Sequence, residues 1–324
     1  LAADGVSCTI CHQITDEGFG TEESFTGGYI VDTTTLFGNR SIFGPHAVDK
    51  GRTRIMQSAS EFVPVMATHV QKAEFCAACH TLYTHALGPD GEVLGELPEQ
   101  VPYLEWRHSA YRDTQSCQDC HMKDVDGEMP ISSVLGEPRA GFSRHSFRGG
   151  NFFVARMFNR YRDELGVEAL EQELDSAAQQ TLKHLQSDAA RLTVIEAKVV
   201  GERLEATLEL ENLAGHKLPT AYPSRRVWLR VVVNDSGGNT IFESGGFSQD
   251  GSIEGNDNDS DPRRFEPHYQ EIDNPEQVQI YEVMMADVNG ALTTGLLTGA
   301  KFVKDNRVLP LGFDKTTAIE DIAP

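Results

Sequence analysis

Three stretches decide how this chain is read: Cys8-Thr9-Ile10-Cys11-His12, Cys76-Ala77-Ala78-Cys79-His80 and Cys117-Gln118-Asp119-Cys120-His121. They use all 6 cysteines of the chain, so none is left over for a disulfide or a separate thiol. In a CxxCH segment the two thiols add to the vinyl groups of one haem, and the adjacent histidine becomes the proximal iron ligand. Two intervening residues on a helical turn put both sulfurs on one porphyrin edge, with the histidine beneath the iron.

The competing reading is zinc, since paired CxxC knuckles also build structural metal sites. Zinc has no need of a histidine directly after the second cysteine. With 11 histidines in 324 residues, that neighbour arises by chance about once in thirty, and here it occurs three times running. A redox CxxC fits less well, because one thioredoxin-like fold has no use for three copies. The cofactors expected are three c-type haems, held by Cys8, Cys11, Cys76, Cys79, Cys117 and Cys120. His12, His80 and His121 are their proximal ligands.

Composition narrows the class. There are 28 Lys plus Arg against 49 Asp plus Glu, a formal net charge of -21. The excess runs through both halves and disfavours nucleic acid as a partner. No uninterrupted apolar stretch is long enough for a spanning helix. Covalent haem attachment points to a periplasmic or extracellular protein. The opening Leu1-Ala2-Ala3-Asp4-Gly5 reads as a mature start whose signal peptide has been removed.

The pattern along the chain predicts an α+β protein in three parts. Residues 1–150, rich in Gly, Pro and turn residues, form a haem-wrapping region of loops and short helices. Within it, helices are expected over Ala67 to His80 and Tyr103 to Arg112. Residues 151–190 form a connector of two helices. One carries Phe152, Phe153, Ala155, Met157, Phe158 and Tyr161 on its apolar face and stops at Gly166. The other runs from Glu168 to Leu185, with Leu170, Leu174, Ala177, Ala178, Leu182 and Leu185 as a stripe read as core packing. Residues 191–324 show β-rich runs at Leu192–Val200, Leu204–Asn212, Val227–Asn234, Thr240–Ser244 and Val278–Met285, which predict an antiparallel β-sandwich.

Eight further histidines compete to be distal ligands. His69 precedes the second motif and His108 precedes the third, where a neighbouring helix is already pinned beside a haem. His145 follows the third motif between Arg144 and Arg148, cations suited to haem propionates. These three are the expected distal ligands, with His216 and His46 in reserve. His85, His184 and His268 read as structural. The run Asp257, Asp259, Asp261 is rich in hard oxygen ligands and is a candidate calcium loop, though it lacks the EF-hand register; a solvated turn is the simpler reading. No phosphate loop, nucleophile elbow or HExxH is present, so an electron-transfer protein is favoured over an enzyme.

Glu74-Phe75-Cys76, Tyr103-Leu104-Glu105-Trp106 and Cys117 through Met122 resemble the multihaem c-type cytochromes related to cytochrome c554. Within that group the chain is similar to the bacterial cytochrome c family proteins of metal-reducing and environmental microbes. Arg144-His145 with Gly149-Gly150-Asn151, and Gly215-His216-Lys217-Leu218-Pro219-Thr220, share the resemblance. It implies bis-histidine haems, extracytoplasmic electron transfer, and redox proteins or the chain's own subunits as partners. It also favours His69, His108 and His145. Tyr111 departs from the pattern, standing where such segments carry a ligand histidine; His108 substitutes, or that haem is completed elsewhere. Some relatives polymerise into haem-lined filaments with a distal histidine from a neighbouring subunit. A homopolymer and a small multihaem reductase with one open iron are therefore the alternatives.

Overall fold

The structure, a computed structural model, describes residues 6–323. The opening Leu1 to Gly5, read above as a mature start, lies outside the described residues. Helix and strand contribute equally, 25% each, in small sheets. Among the described residues no sheet exceeds three strands, and no helix is long and apolar enough to cross a membrane. The chain packs as two compact units, one of residues 1–79 with 110–213, the other of residues 80–109 with 214–324.

In the first unit two of the CxxCH segments sit on short helices, Cys8–Cys11 and Cys117–His121. Ser116 caps the latter reciprocally with Asp119, so a residue inside the motif secures its own turn. The helix expected from Ala67 is broken. A 3-10 turn, Thr68–Gln71, ends at Lys72 in extended backbone before Ala73–His80 begins. A βαβ unit follows the first motif. Strands Arg40–Gly44 and Phe62–Met66 pair in parallel across the helix Lys50–Ser60, whose N-terminus is capped by the Asp49 carboxylate.

The connector helices fall close to expectation, at Phe152–Arg160 and Glu171–His184. Gly166 adopts a left-handed conformation, φ 61°, where the short helix Arg162–Leu165 ends. Asn159 ties the two longer helices together, donating to Glu171 O at 2.9 Å and Asp175 Oδ1 at 2.8 Å. The stripe expected to be core packing is buried at Ala178 but exposed at Leu170, and on the first helix Phe153 and Phe158 stay exposed. Hairpin Ala190–Val200/Arg203–Asn212 closes the unit. Leu192, Val194, Val199, Leu204 and Leu208 share one face. Ion pairs Arg191–Glu211 and Lys198–Glu205 share the other, the alternation that period-two patterning dictates.

The second unit has an ordinary side-chain core, with Leu97, Val101, Tyr103, Leu104, Ile253, Val278, Ile280 and Ile322 buried. Its helix Pro102–Arg107 is shorter than the sequence pattern suggests. The expected run Val227–Asn234 splits in two, Val227–Trp228 pairing with Ile280–Tyr281 and Val231–Asn234 with Thr240–Ser244. Val283–Ala286, buried throughout, is the centre of the three-stranded sheet, between Leu292–Thr293 and Lys301–Asp305.

An ionic cluster also lies in this core. Lys217, fully buried, meets Asp305 at 2.7 Å. Arg307 grips both Asp305 oxygens, at 2.9 and 2.8 Å, and reaches Glu105 at 2.9 Å in a charge contact. The other Glu105 oxygen accepts from Lys217 N and Thr220 Oγ1. A bridge between Leu218 and Val308 fixes the two segments against each other. Two acids thus offset two bases where no isolated charge would be tolerated.

Candidate functional site

Within the first unit the cysteines of all three motifs come within electrostatic reach of one another. The Cys76 and Cys117 thiols are hydrogen-bonded, which together with burial raises Cys76; on Cys117 the same bond outweighs burial and lowers it. Cys11 also acts on Cys76 and Cys79. Burial pushes the Cys11, Cys79 and Cys120 thiols up. All six are free thiols, the state that thioether formation needs. Among the described residues no three His, Cys, Asp or Glu side chains gather as a metal cluster.

The histidines are organised more tightly still. His12 Nδ1 donates to Phe43 O at 2.6 Å, and Phe43 N donates back to His12 O at 2.6 Å, so the βαβ strand clamps the first motif. His121 Nδ1 donates to Arg148 O. A carbonyl acceptor at Nδ1 fixes the proton there and leaves the lone pair on Nε2, the arrangement by which a protein orients a metal-ligating imidazole.

Each of these two rings faces another imidazole. His145 lies opposite His12 with ring centroids 6.1 Å apart and planes inclined at 34°. His184 lies opposite His121 at 6.2 Å and 58°. Two imidazoles binding one iron from opposite faces, with metal–nitrogen bonds of about 2 Å, hold their centroids roughly 6 Å apart. Both pairs have that spacing. His184 in turn donates from Nδ1 to Asp188 at 3.1 Å, and Asp188 accepts from Lys123 Nζ at 2.7 Å. The Lys123 contact, chiefly, holds the Asp188 carboxyl down to about 2. Lys123, Arg144, Arg148, Lys183 and His184 line a cavity of about 410 Å³, a concentration of cations unusual in so acidic a chain.

The other histidines are placed differently. His69 is buried, ringed by Phe19, Phe43 and Phe75. Its Nε2 is 2.8 Å from Ile14 O, which leaves Nδ1 as the nitrogen for a ligand. His108 is engaged through Nε2 with Thr317 O at 3.0 Å and packs on Phe313. His46 is half-buried, and burial with Arg139 lowers its pKa. His216, pushed down by burial, contacts Lys217 O through Nδ1. His80 is the last residue of its helix and is exposed. His85 pairs with Glu96, and His268 with Gln279 and Asn306.

His184 is the residue that sequence reasoning set aside. A signal for it exists: it lies two turns beyond Ala177, on the side of the helix that carries the stripe, with a carboxylate four residues later. In the acidic run, Asp257, Asp259 and Asp261 face Arg264, Arg226 and Arg263 respectively, so each carboxylate already has a cation. The chain matches no known family model, no curated protein and no solved structure.

Proposed function

We propose that this chain is an extracytoplasmic electron-transfer protein carrying three c-type haems. The observation that carries the reading is the facing of His12 by His145 and of His121 by His184, each pair at the spacing of two axial ligands. Both proximal members stand on CxxCH turns and have Nδ1 anchored to a carbonyl. Cys8, Cys11, Cys76, Cys79, Cys117 and Cys120 supply the thioethers, and His80 the proximal ligand of the second group. His69, His108, His216 and His46 remain the candidates for its distal side.

A second observation supports the same reading. Among the described residues, the buried apolar ones of the first unit are Ile14, Phe25, Ala73, Ala77, Ala78 and Ala178, a small area against the conformational entropy of a unit this size. Porphyrin faces supply the missing apolar core in a haem-wrapping fold. Haem iron provides one-electron exchange between ferric and ferrous states, with two imidazoles retained in both. The residues would hold those imidazoles in place, with the proton of His12, His121 and His184 on Nδ1, and would offer Arg144, Arg148 and Lys183 to propionate carboxylates.

The finer reading of residues 191–324 as an antiparallel sandwich belongs to the same proposal. The apolar face of hairpin Ala190–Asn212 is uncovered, whereas a sandwich packs such a face on a second sheet; the uncovered face supports a homopolymer in which another copy covers it.

The test is the holoprotein made in a host with c-type maturation machinery. Denaturing mass spectrometry is expected to show three covalent haems, and changing both cysteines of a motif to serine to remove one. Reduced protein should leave carbon monoxide unbound at all three irons. One high-spin, carbon-monoxide-binding haem would favour the reductase reading. A preparation retaining zinc and no covalent haem would overturn the proposal.

A further inference from the structure

The two facing histidine pairs are alike on one side and different on the other. His12 and His121 each give their Nδ1 proton to a backbone carbonyl. On the opposite side, His145 meets Phe147 edge-on, with ring centroids 6.0 Å apart. His184 instead meets a carboxylate: its Nδ1 is 3.1 Å from Asp188 Oδ2. That oxygen also accepts from Lys123 Nζ at 2.7 Å, and Oδ1 accepts from Ser187 Oγ at 3.0 Å. The side chain of His184 is 13% exposed and that of Asp188 34%.

Local backbone builds this arrangement. The helix Glu171–His184 does not stop cleanly but runs on into a wide π-type turn, Leu185–Ala189. Asp188 lies in that turn, four residues after His184, and the strand of the hairpin begins at Ala190. Single π turns inside helices recur at functional sites. Here the turn presents one carboxylate to one imidazole nitrogen, and the same ring lies 6.2 Å from that of His121.

We propose that Asp188 is a positioning residue that orients His184 and lowers the reduction potential of the haem held by Cys117, Cys120 and His121, with Lys123 opposing it. The inference rests on the haem reading above. A carboxylate accepting the Nδ1 proton makes the imidazole a stronger donor, and a stronger donor stabilises ferric iron over ferrous. Lys123 shares the same carboxylate oxygen and withdraws part of that effect. The two side chains therefore act on one iron with opposite signs, and neither acts on the pair His12/His145. The three haems would in this way be made unequal by a single hydrogen bond.

The experiment is potentiometry of the holoprotein followed by optical and EPR spectra, on wild type, Asp188→Asn and Lys123→Gln. Asp188→Asn keeps the shape and removes the charge. It is expected to raise the midpoint of one haem by at least a tenfold change in ferrous-to-ferric ratio at fixed potential, 59 mV for one electron. The other two midpoints should stay. Lys123→Gln is expected to move the same haem the other way. A merely structural role for the contact would not give opposite signs from its two ends.

Haem content separates the two levels of inference. If both variants hold three low-spin haems and no midpoint moves, the role of Asp188 is overturned while the haem reading stands. If wild type carries no covalent haem, both fall. If Asp188→Asn fails to fold, the sign of the Lys123→Gln shift decides the matter alone: no shift or an upward one overturns it.

Discussion

Asp305→Ala should destabilise the second unit by about 3–5 kcal/mol, the cost of breaking a buried ion pair from one side. Asp305 is the hinge of the ionic cluster, bound by Lys217 at 2.7 Å and by two Arg307 nitrogens. Lys217 is 0% exposed and Arg307 8%, so water cannot replace the lost carboxylate. Burial and the Arg307 charge already push the Lys217 ammonium below its ordinary pKa, and Asp305 is the first counterweight to them. Without Asp305, two cations share one acid, Glu105.

The same cluster predicts a direction with pH. Burial acts to raise the Asp305 carboxyl, but hydrogen bonds and charge from Arg307 and Lys217 outweigh it, and its pKa lies below the ordinary value. A carboxyl depressed in the fold contributes stability that is present above its unfolded pKa of about 3.9, and that is lost as pH falls through the lower folded value. Urea unfolding of the second unit should therefore weaken below about pH 4 in wild type. In Asp305→Ala that part of the acid dependence should be missing. Both tryptophans, Trp106 and Trp228, lie in this unit, so their emission reports it. A midpoint within about 0.5 kcal/mol of wild type would show that the cluster is not a source of stability.

These two sites show what the sequence discloses and what it hides. The CxxCH turns are local, and a spacing of three residues is enough to read them. The hairpin Ala190–Asn212 is also local, because alternation of Leu192, Val194 and Leu208 with Arg191, Thr193 and Glu209 sorts its two faces. Asp305, Arg307, Lys217 and Glu105 meet only through strand pairing and the Leu218–Val308 bridge, and no pattern in the chain announces that closure. The histidines proposed as distal ligands fall between these cases. Arg144 and Arg148 draw attention to His145. On the helix Glu171–His184 the only signals are the place of His184 on the stripe side and the carboxylate four residues later, and they gain meaning once His121 is seen 6.2 Å away. The proximity argument singles out His69; the structure packs it against Phe43 and gives its Nε2 to Ile14 O.

His184→Ala carries the largest spectroscopic consequence. Removing this imidazole takes away the ring 6.2 Å from that of His121, while His12 and His145 keep their 6.1 Å spacing. On the proposed haem reading, one of three haems is expected to turn high-spin and, once reduced, to bind carbon monoxide; the other two should remain low-spin and silent. His145→Ala should do the same to the first haem, and the double variant to both, since the two pairs share no ring. His268→Ala, which loses contacts to Gln279 and Asn306, should leave every haem low-spin. The cost to folding should be small, because the thioethers and His121 still fix the cofactor covalently and by one axial bond. EPR of the oxidised protein and difference spectra with carbon monoxide read the outcome directly. Three low-spin haems in His184→Ala would mean that another histidine, from this chain or a second copy, completes the third site. The facing of His121 and His184 would then be a packing contact and nothing more.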